Sequence, residues 1–229
     1  MMSIPKYILF DVENVLFPAT ELYLDSLKIV LAKSTNGKYI LKSDALMASE
    51  FGTMSYSDVY DFLHNATGFS RFTSDQKAIL ANRLYVQTEY LIQHSNLIKT
   101  RNESLELFRW LTDSGFKLAI CTNLPQSILM NYLVAVGYEP FFEVIVAPDK
   151  FEKTESFILW PKPSIELYRK TMNMLSANEE DILTIEGTSS GIAAAKIAKI
   201  RFIATNSPNQ INLVNIKEAF IKMGVITEQ

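Results

Sequence analysis

From residue 102 onward, stretches with helical periodicity and short apolar runs take turns along the chain. A helix is expected near 102–114, closed by Gly115, then a strand over 117–122, a helix that starts at Pro125 and is closed by Gly137, and a strand over 143–147. A helix over 163–174, a strand over 182–185, a helix over 189–199, a strand over 202–205 and a last helix near 209–223 follow. Alternation of this kind predicts an α/β protein, with a parallel sheet covered by helices on both faces and joined by right-handed crossovers. Residues 5–10 supply one more apolar strand far upstream. From about Thr20 to His94 every periodic segment reads as helical. The run 73–93 opens on Thr73-x-x-Gln76, a capping-box pattern, and sets Leu80, Leu84 and Leu91 on one face. The expected division is a core of residues 1–17 and 96–229 with an all-helical insert of residues 18–95.

Bulk properties narrow the partners. The chain has 229 residues, 48% of them hydrophobic and 21% charged, enough to bury a full core. A net charge of −3 with no basic cluster gives no footprint for nucleic acid, and no Lys/Arg-rich amphipathic stretch points to a membrane surface. A small molecule is the expected partner. The single cysteine, Cys121, lies inside the apolar run Leu118-Ala119-Ile120-Cys121, so it reads as a core residue in a reducing compartment. Asp11 and Glu13 interrupt what would be the hydrophobic part of a signal peptide, and no 18-residue uncharged apolar stretch exists. A cytoplasmic protein is expected, a monomer or weak dimer. His64 and His94 are too few and too far apart for a metal cluster and read as packing or surface residues.

Four strand ends carry the candidate chemistry. The run Tyr7-Ile8-Leu9-Phe10 stops at Asp11-Val12-Glu13-Asn14. In an open parallel sheet ligands bind beyond the carboxyl ends of the strands, so Asp11 is a candidate nucleophile. The run Ile120-Cys121 stops at Thr122-Asn123 before Pro125 starts a helix; the hydroxyl, the amide and nearby backbone N–H groups suit phosphate oxygens. Lys162 stands immediately before Pro163, where a fixed ammonium can face both a carboxylate and a phosphate. The strand Ile182-Leu183-Thr184-Ile185 leads into Glu186-Gly187-Thr188-Ser189-Ser190-Gly191-Ile192 and an Ala-rich helix. Small residues let that helix pack closely, and Glu186 is placed to face a cation. Tyr23, early in the insert, is expected either to line the pocket or to pack between insert and core.

In this order and spacing the four segments resemble the haloacid dehalogenase superfamily, in particular its β-phosphoglucomutase and phosphoglycolate-phosphatase-like branch, over about residues 5–206. The resemblance implies a Rossmann-like parallel sheet core with an inserted helical cap, lying over the crevice as a lid that excludes water. It further implies a Mg²⁺-dependent phosphatase of small phosphomonoesters. In that scheme Asp11 forms an aspartyl-phosphate, Glu13 is the acid/base, and Thr122, Asn123 and Lys162 hold the phosphoryl oxygens. Mg²⁺ is held by Asp11, the backbone carbonyl of Glu13 and Glu186. Two positions depart from the family pattern. Glu13 stands where Asp is usual, and a misplacement near 1 Å can cost about a hundredfold in rate. Gly187 stands where the branch carries a metal-binding Asp. Unless Glu186 compensates, a transition-state loss of roughly 3 kcal/mol would slow turnover about a hundredfold. A smaller departure is Pro161 in place of a Gly. The alternatives are a catalytically attenuated ligand-binding or regulatory protein on the same fold, a phosphomutase, and a metal-independent 2-haloacid dehalogenase, for which Glu13 is out of place.

Overall fold

The structure, a computed structural model, describes residues 3–35, 73–95, 98–148 and 161–227. Strands β1 (Tyr7–Phe10), β2 (Lys117–Cys121), β3 (Phe142–Val146), β4 (Ile182–Glu186) and β5 (Arg201–Ala204) form one sheet in the order β3-β2-β1-β4-β5. Every neighbouring pair is parallel. Among the described residues the helices are α1 (Ala19–Thr35), α2 (Ser74–His94), α3 (Asn102–Asp113), α4 (Gln126–Val136), α5 (Glu166–Leu175), α6 (Ser189–Ile197) and α7 (Leu213–Lys222).

β1 lies at the centre, flanked by β2 and β4, and is covered on both faces, which is why Ile8-Leu9-Phe10 is an unbroken apolar run. The period of two sends alternate side chains to opposite cores. Ile8, Phe10, Leu118, Ile120, Leu183 and Ile185 join the larger core with Phe108 of α3, Leu129 of α4 and Phe220 of α7. Leu9, Ala119, Cys121 and Ile182 join the smaller one with Leu167 and Tyr168 of α5 and Ala194 and Ala195 of α6. In the larger core Phe108 meets Phe10 edge-on at 5.3 Å and Tyr138 at 5.2 Å, an arrangement favoured by ring quadrupoles.

Turn chemistry sets the element ends. Gly137 closes α4 at φ 72°, and its N–H reaches back to the last turn; a Cβ-free residue adopts that conformation without strain. The helix expected from 163 begins at Glu166, after the turn that carries Lys162 and Pro163. The last helix begins at Leu213, because Asn212 accepts from Asn215 N–H at 3.0 Å and caps it there. The Thr73–Gln76 capping box forms as the sequence predicts.

Of the described helices between β1 and β2, α1 and α2 fall within the expected insert and pack on one another. Leu80, Leu84 and Ile92 of α2 are buried and Leu91 packs against the same cluster. Thr88 donates to Ser26 at 3.2 Å in their interior. Asn131 of α4 donates to Glu89 at 3.2 Å, tying α2 to the sheet's covering helix. His94 is exposed and stacks on Tyr90 at 4.2 Å; His64 lies outside the described residues. No helix among the described residues is long and apolar enough to cross a membrane.

Candidate active site at the carboxyl edge of the sheet

The parallel register brings the four segments to one edge. Phe10 pairs with Ile120 on one side and Ile185 on the other, so Asp11 stands level with Cys121 and Glu186. Its N–H continues the ladder to the Ile185 carbonyl at 2.9 Å. Strand order reverses around β1, which makes this edge the expected binding crevice. Asp11, Glu13, Thr122, Asn123, Lys162 and Glu186 are all buried here.

Lys162 is the only lysine or arginine among the buried polar residues described. Its ammonium donates to the Cys121 carbonyl at 2.7 Å and to both Glu186 oxygens, at 2.9 and 2.8 Å. Three N–H groups thus meet three acceptors, and toward Asp11 Oδ1, 3.9 Å away, the lysine acts through its charge. Burial alone would lower the Lys162 pKa, but Asp11 and Glu186 reverse that and hold it above the ordinary lysine value. The main chain of Lys162 is clamped by Asn123, whose Oδ1 accepts from its N–H at 2.7 Å and whose Nδ2 donates to its carbonyl at 3.0 Å. Asn123, expected on substrate, is in this structure a clamp on the lysine. The Thr122 hydroxyl accepts from Leu124 N–H at 3.2 Å, fixing the turn after β2.

Glu186, expected as a metal ligand, is engaged elsewhere. Besides Lys162, its Oε1 accepts from the Tyr168 hydroxyl at 2.5 Å and from Thr184 Oγ1 at 2.7 Å. Burial raises its pKa, against the pull of Lys162. Thr184 is two residues back on β4 and so shares its face. A Cβ on Gly191 would fall inside Glu186 Oε2 and lie 3.0 Å from Thr188 Oγ1, which explains why α6 carries glycine there.

On the other side of Asp11 the chain turns sharply. Val12 N–H donates to Asp11 Oδ1 at 2.8 Å, and Asn14 takes a positive φ of 59°, a conformation Asn tolerates. Asn14 Oδ1 then accepts from Thr20 N–H and Oγ1, both at 3.2 Å, linking the turn to α1. Tyr132 of α4 donates to the Leu16 carbonyl at 2.8 Å. Glu13 Oε1 accepts from the hydroxyl of Tyr23, a fully buried residue of α1, at 2.5 Å. Thr188 caps α6 by accepting from Gly191 N–H at 3.1 Å and lies 3.5 Å from Asp11 Oδ2.

Tyr168, Thr184, Thr188 and Asn14 were not singled out by sequence reasoning. The Thr184-x-Glu186 spacing on a strand is a signal for one of them. Tyr168 and Asn14 carry no comparable local signal.

A candidate nucleophile at the carboxyl edge of a parallel sheet, with a buried lysine beside it, is the arrangement of an α/β enzyme. The chain belongs to the haloacid dehalogenase-like hydrolase family, whose sequence pattern matches residues 8–205. It is 32% identical over 108 residues to a pyrophosphatase PpaX from Halalkalibacterium halodurans, a stretch that is 47% of each chain. It is 26% identical over 132 residues to a phosphorylated carbohydrates phosphatase from Thermotoga maritima, covering 58% of this chain and 56% of that one. The chain thus spans about half the length of these two relatives. The crystal structure of a β-phosphoglucomutase from Clostridium difficile superposes with a TM-score of 0.68 at 18% identity, over 97% of this chain and 100% of that one. At that identity the likeness concerns the fold.

Phosphatases of this family generally use Mg²⁺, and the residues at this edge do not fit that ion. Among the described residues no three His, Cys, Asp or Glu side chains converge on a common point for a metal. Gly187 offers no oxygen, and a Cβ there would fall inside the Glu13 carbonyl oxygen, 2.9 Å from the Asn14 carbonyl carbon and 3.0 Å from Val15 Cγ2.

Proposed function

We propose that the chain is a phosphoric monoester hydrolase for small phosphorylated metabolites, acting in the cytoplasm as a monomer or weak dimer. The observation that carries this reading is Asp11 at the carboxyl end of the central strand with the Lys162 ammonium 3.9 Å from its Oδ1. The relatives that hydrolyse pyrophosphate and phosphorylated carbohydrates support the substrate class. Asp11 Oδ attacks phosphorus as the ester P–O bond breaks, splitting one displacement into two easier ones. Protonated Glu13 gives its proton to the leaving alcohol. The resulting carboxylate then takes a proton from water, whose oxygen attacks the phosphorus of the aspartyl-phosphate and frees Asp11. Lys162, held by Glu186 and Asn123, and the Thr122 hydroxyl stabilise the charge that spreads over the phosphoryl oxygens. No step is assigned to a divalent ion. Tyr23 of α1, donating to Glu13, helps the expected insert of residues 18–95 to restrict water at the crevice.

The test is hydrolysis of a panel of sugar phosphates, phosphoglycolate-like acids and pyrophosphate, with acid quench and mass spectrometry. A phosphoryl adduct on Asp11 that is absent in Asp11→Asn, together with loss of turnover in that variant, is the expected result. A panel with no turnover and no adduct would sink the reading. The Gly187 contact with Glu13 favours a second reading, a catalytically attenuated relative that binds a phosphorylated ligand. Saturable phosphate binding without turnover marks that outcome.

A further inference from the structure

The departure at position 187 is more than a missing oxygen. In the ion centre implied by family likeness, Asp11, the Glu13 carbonyl and an acid at 187 would surround one cation. Here the loop after β4 has closed on the turn after β1. The Cα–Cβ direction of residue 187 runs into the Glu13 carbonyl oxygen itself, with the Asn14 carbonyl carbon and Val15 Cγ2 behind it. An acid at 187 therefore has no space beside that carbonyl unless one of the two backbones moves. The neighbouring acid does not substitute for it, because Glu186 is held by Lys162, Tyr168 and Thr184. Asp11 Oδ1 accepts from Val12 N–H and faces the Lys162 charge, and its Oδ2 lies 3.5 Å from the Thr188 hydroxyl. A small hard cation needs close to octahedral oxygen coordination and dehydrates reluctantly, so a shielded carbonyl and one such carboxylate are a poor substitute for three ligands.

We infer that the divalent-ion centre of the family is closed in this chain by the Gly187–Glu13 backbone contact, leaving Lys162 as the fixed cation beside Asp11. The inference rests on the phosphohydrolase reading of Asp11 only for its catalytic consequence, namely that turnover is independent of Mg²⁺. The test uses the full chain and has two readouts. In the first, Mn²⁺ is titrated into ¹⁵N-labelled protein as a paramagnetic stand-in, and Mg²⁺ is titrated by calorimetry. The expected result is no saturable heat and no selective broadening of the resonances of Asp11 to Asn14 and Gly187 to Thr188. Saturable broadening centred on those residues overturns the inference. In the second, hydrolysis is compared in EDTA and in excess Mg²⁺; equal rates are expected, and a rate that appears only with Mg²⁺ overturns it. If neither condition gives hydrolysis and no metal binds, the phosphohydrolase reading has failed and the closed centre stands. Gly187→Ala and Gly187→Asp sharpen the steric argument. Both are expected to lower the thermal midpoint, and Gly187→Asp to gain no Mg²⁺ binding. A Gly187→Asp protein of unchanged midpoint that binds Mg²⁺ overturns closure by backbone contact.

Discussion

The lysine half of the crevice and the glutamate half are built on different principles. Around Lys162 and its partner Glu186 the contacts come mostly from regular elements: Thr184 on β4 and Tyr168 on α5 bond Glu186, while Cys121 on β2 and Asn123 in the turn after it bond Lys162. Around Glu13 the contacts join a turn to the first insert helix and to a glycine loop. The first half departs from the family pattern at Pro161 alone, the second at Glu13 and Gly187. A buried ion pair whose oxygens and protons are all engaged tolerates no single replacement, because the surviving charge would be left without a partner. A turn contacted by a flexible acid and a glycine can absorb a longer side chain in one place and a lost one in another. Glu13 is the example: its extra methylene carries the carboxylate to Tyr23, so the change in length is matched by a partner in the insert.

The strongest way to break the first half is Glu186→Ala. It leaves the buried Lys162 ammonium with Asp11, 3.9 Å away, as its remaining carboxylate, and urea unfolding should show a loss of about 3 kcal/mol. Pairing Glu186→Leu with Lys162→Met should lose less than the sum of the singles, since the ion pair is then removed together and only Asp11 is left without its cation. A double variant that loses the sum of the singles would show that packing, not charge, governs this half. In the second half, Tyr23→Phe removes a hydroxyl from a buried carboxylate and should cost about 1.5–3 kcal/mol. Glu13→Asp, one methylene shorter, draws back from Tyr23. Its stability loss should overlap with that of Tyr23→Phe when the two are combined, and full additivity would argue against the match.

The same division decides what could be read from the chain alone. The parallel sheet was legible because a strand buried on both faces leaves an unbroken apolar run, and because Gly115 and Gly137 mark ends that require a left-handed residue. Asp11, Thr122 and Glu186 were legible as strand-end residues, and Lys162 as the cation just before Pro163. The engagement of Glu186 was not, since Tyr168 comes from a helix whose rotation depends on tertiary packing. Asn123 was read as a substrate ligand; its grip on Lys162 spans 39 residues, and no local pattern encodes such a pair. Gly187 was legible as an absent ligand. That it admits the Glu13 carbonyl into the vacated space depends on two backbones meeting, which spacing along one chain does not report.

The smallest expected effect concerns Cys121, on β2 behind the lysine half. Burial, offset in part by the Lys162 charge, pushes its thiol from 9.0 to about 12. An acid whose pKa is raised by folding keeps its full contribution below the unfolded value, and the contribution fades as pH climbs through the folded one. The wild type should therefore lose stability relative to Cys121→Ala between pH 9 and 12, by about 1.4 kcal/mol at pH 10. Comparing the two proteins cancels the other groups that titrate there, including Tyr132 and Tyr168, which burial raises above the usual tyrosine range. In the native protein at pH 8 a maleimide should label Cys121 only as fast as the chain opens. Rapid labelling without unfolding would place water behind Lys162 and weaken the contrast between a closed lysine half and an adaptable glutamate half.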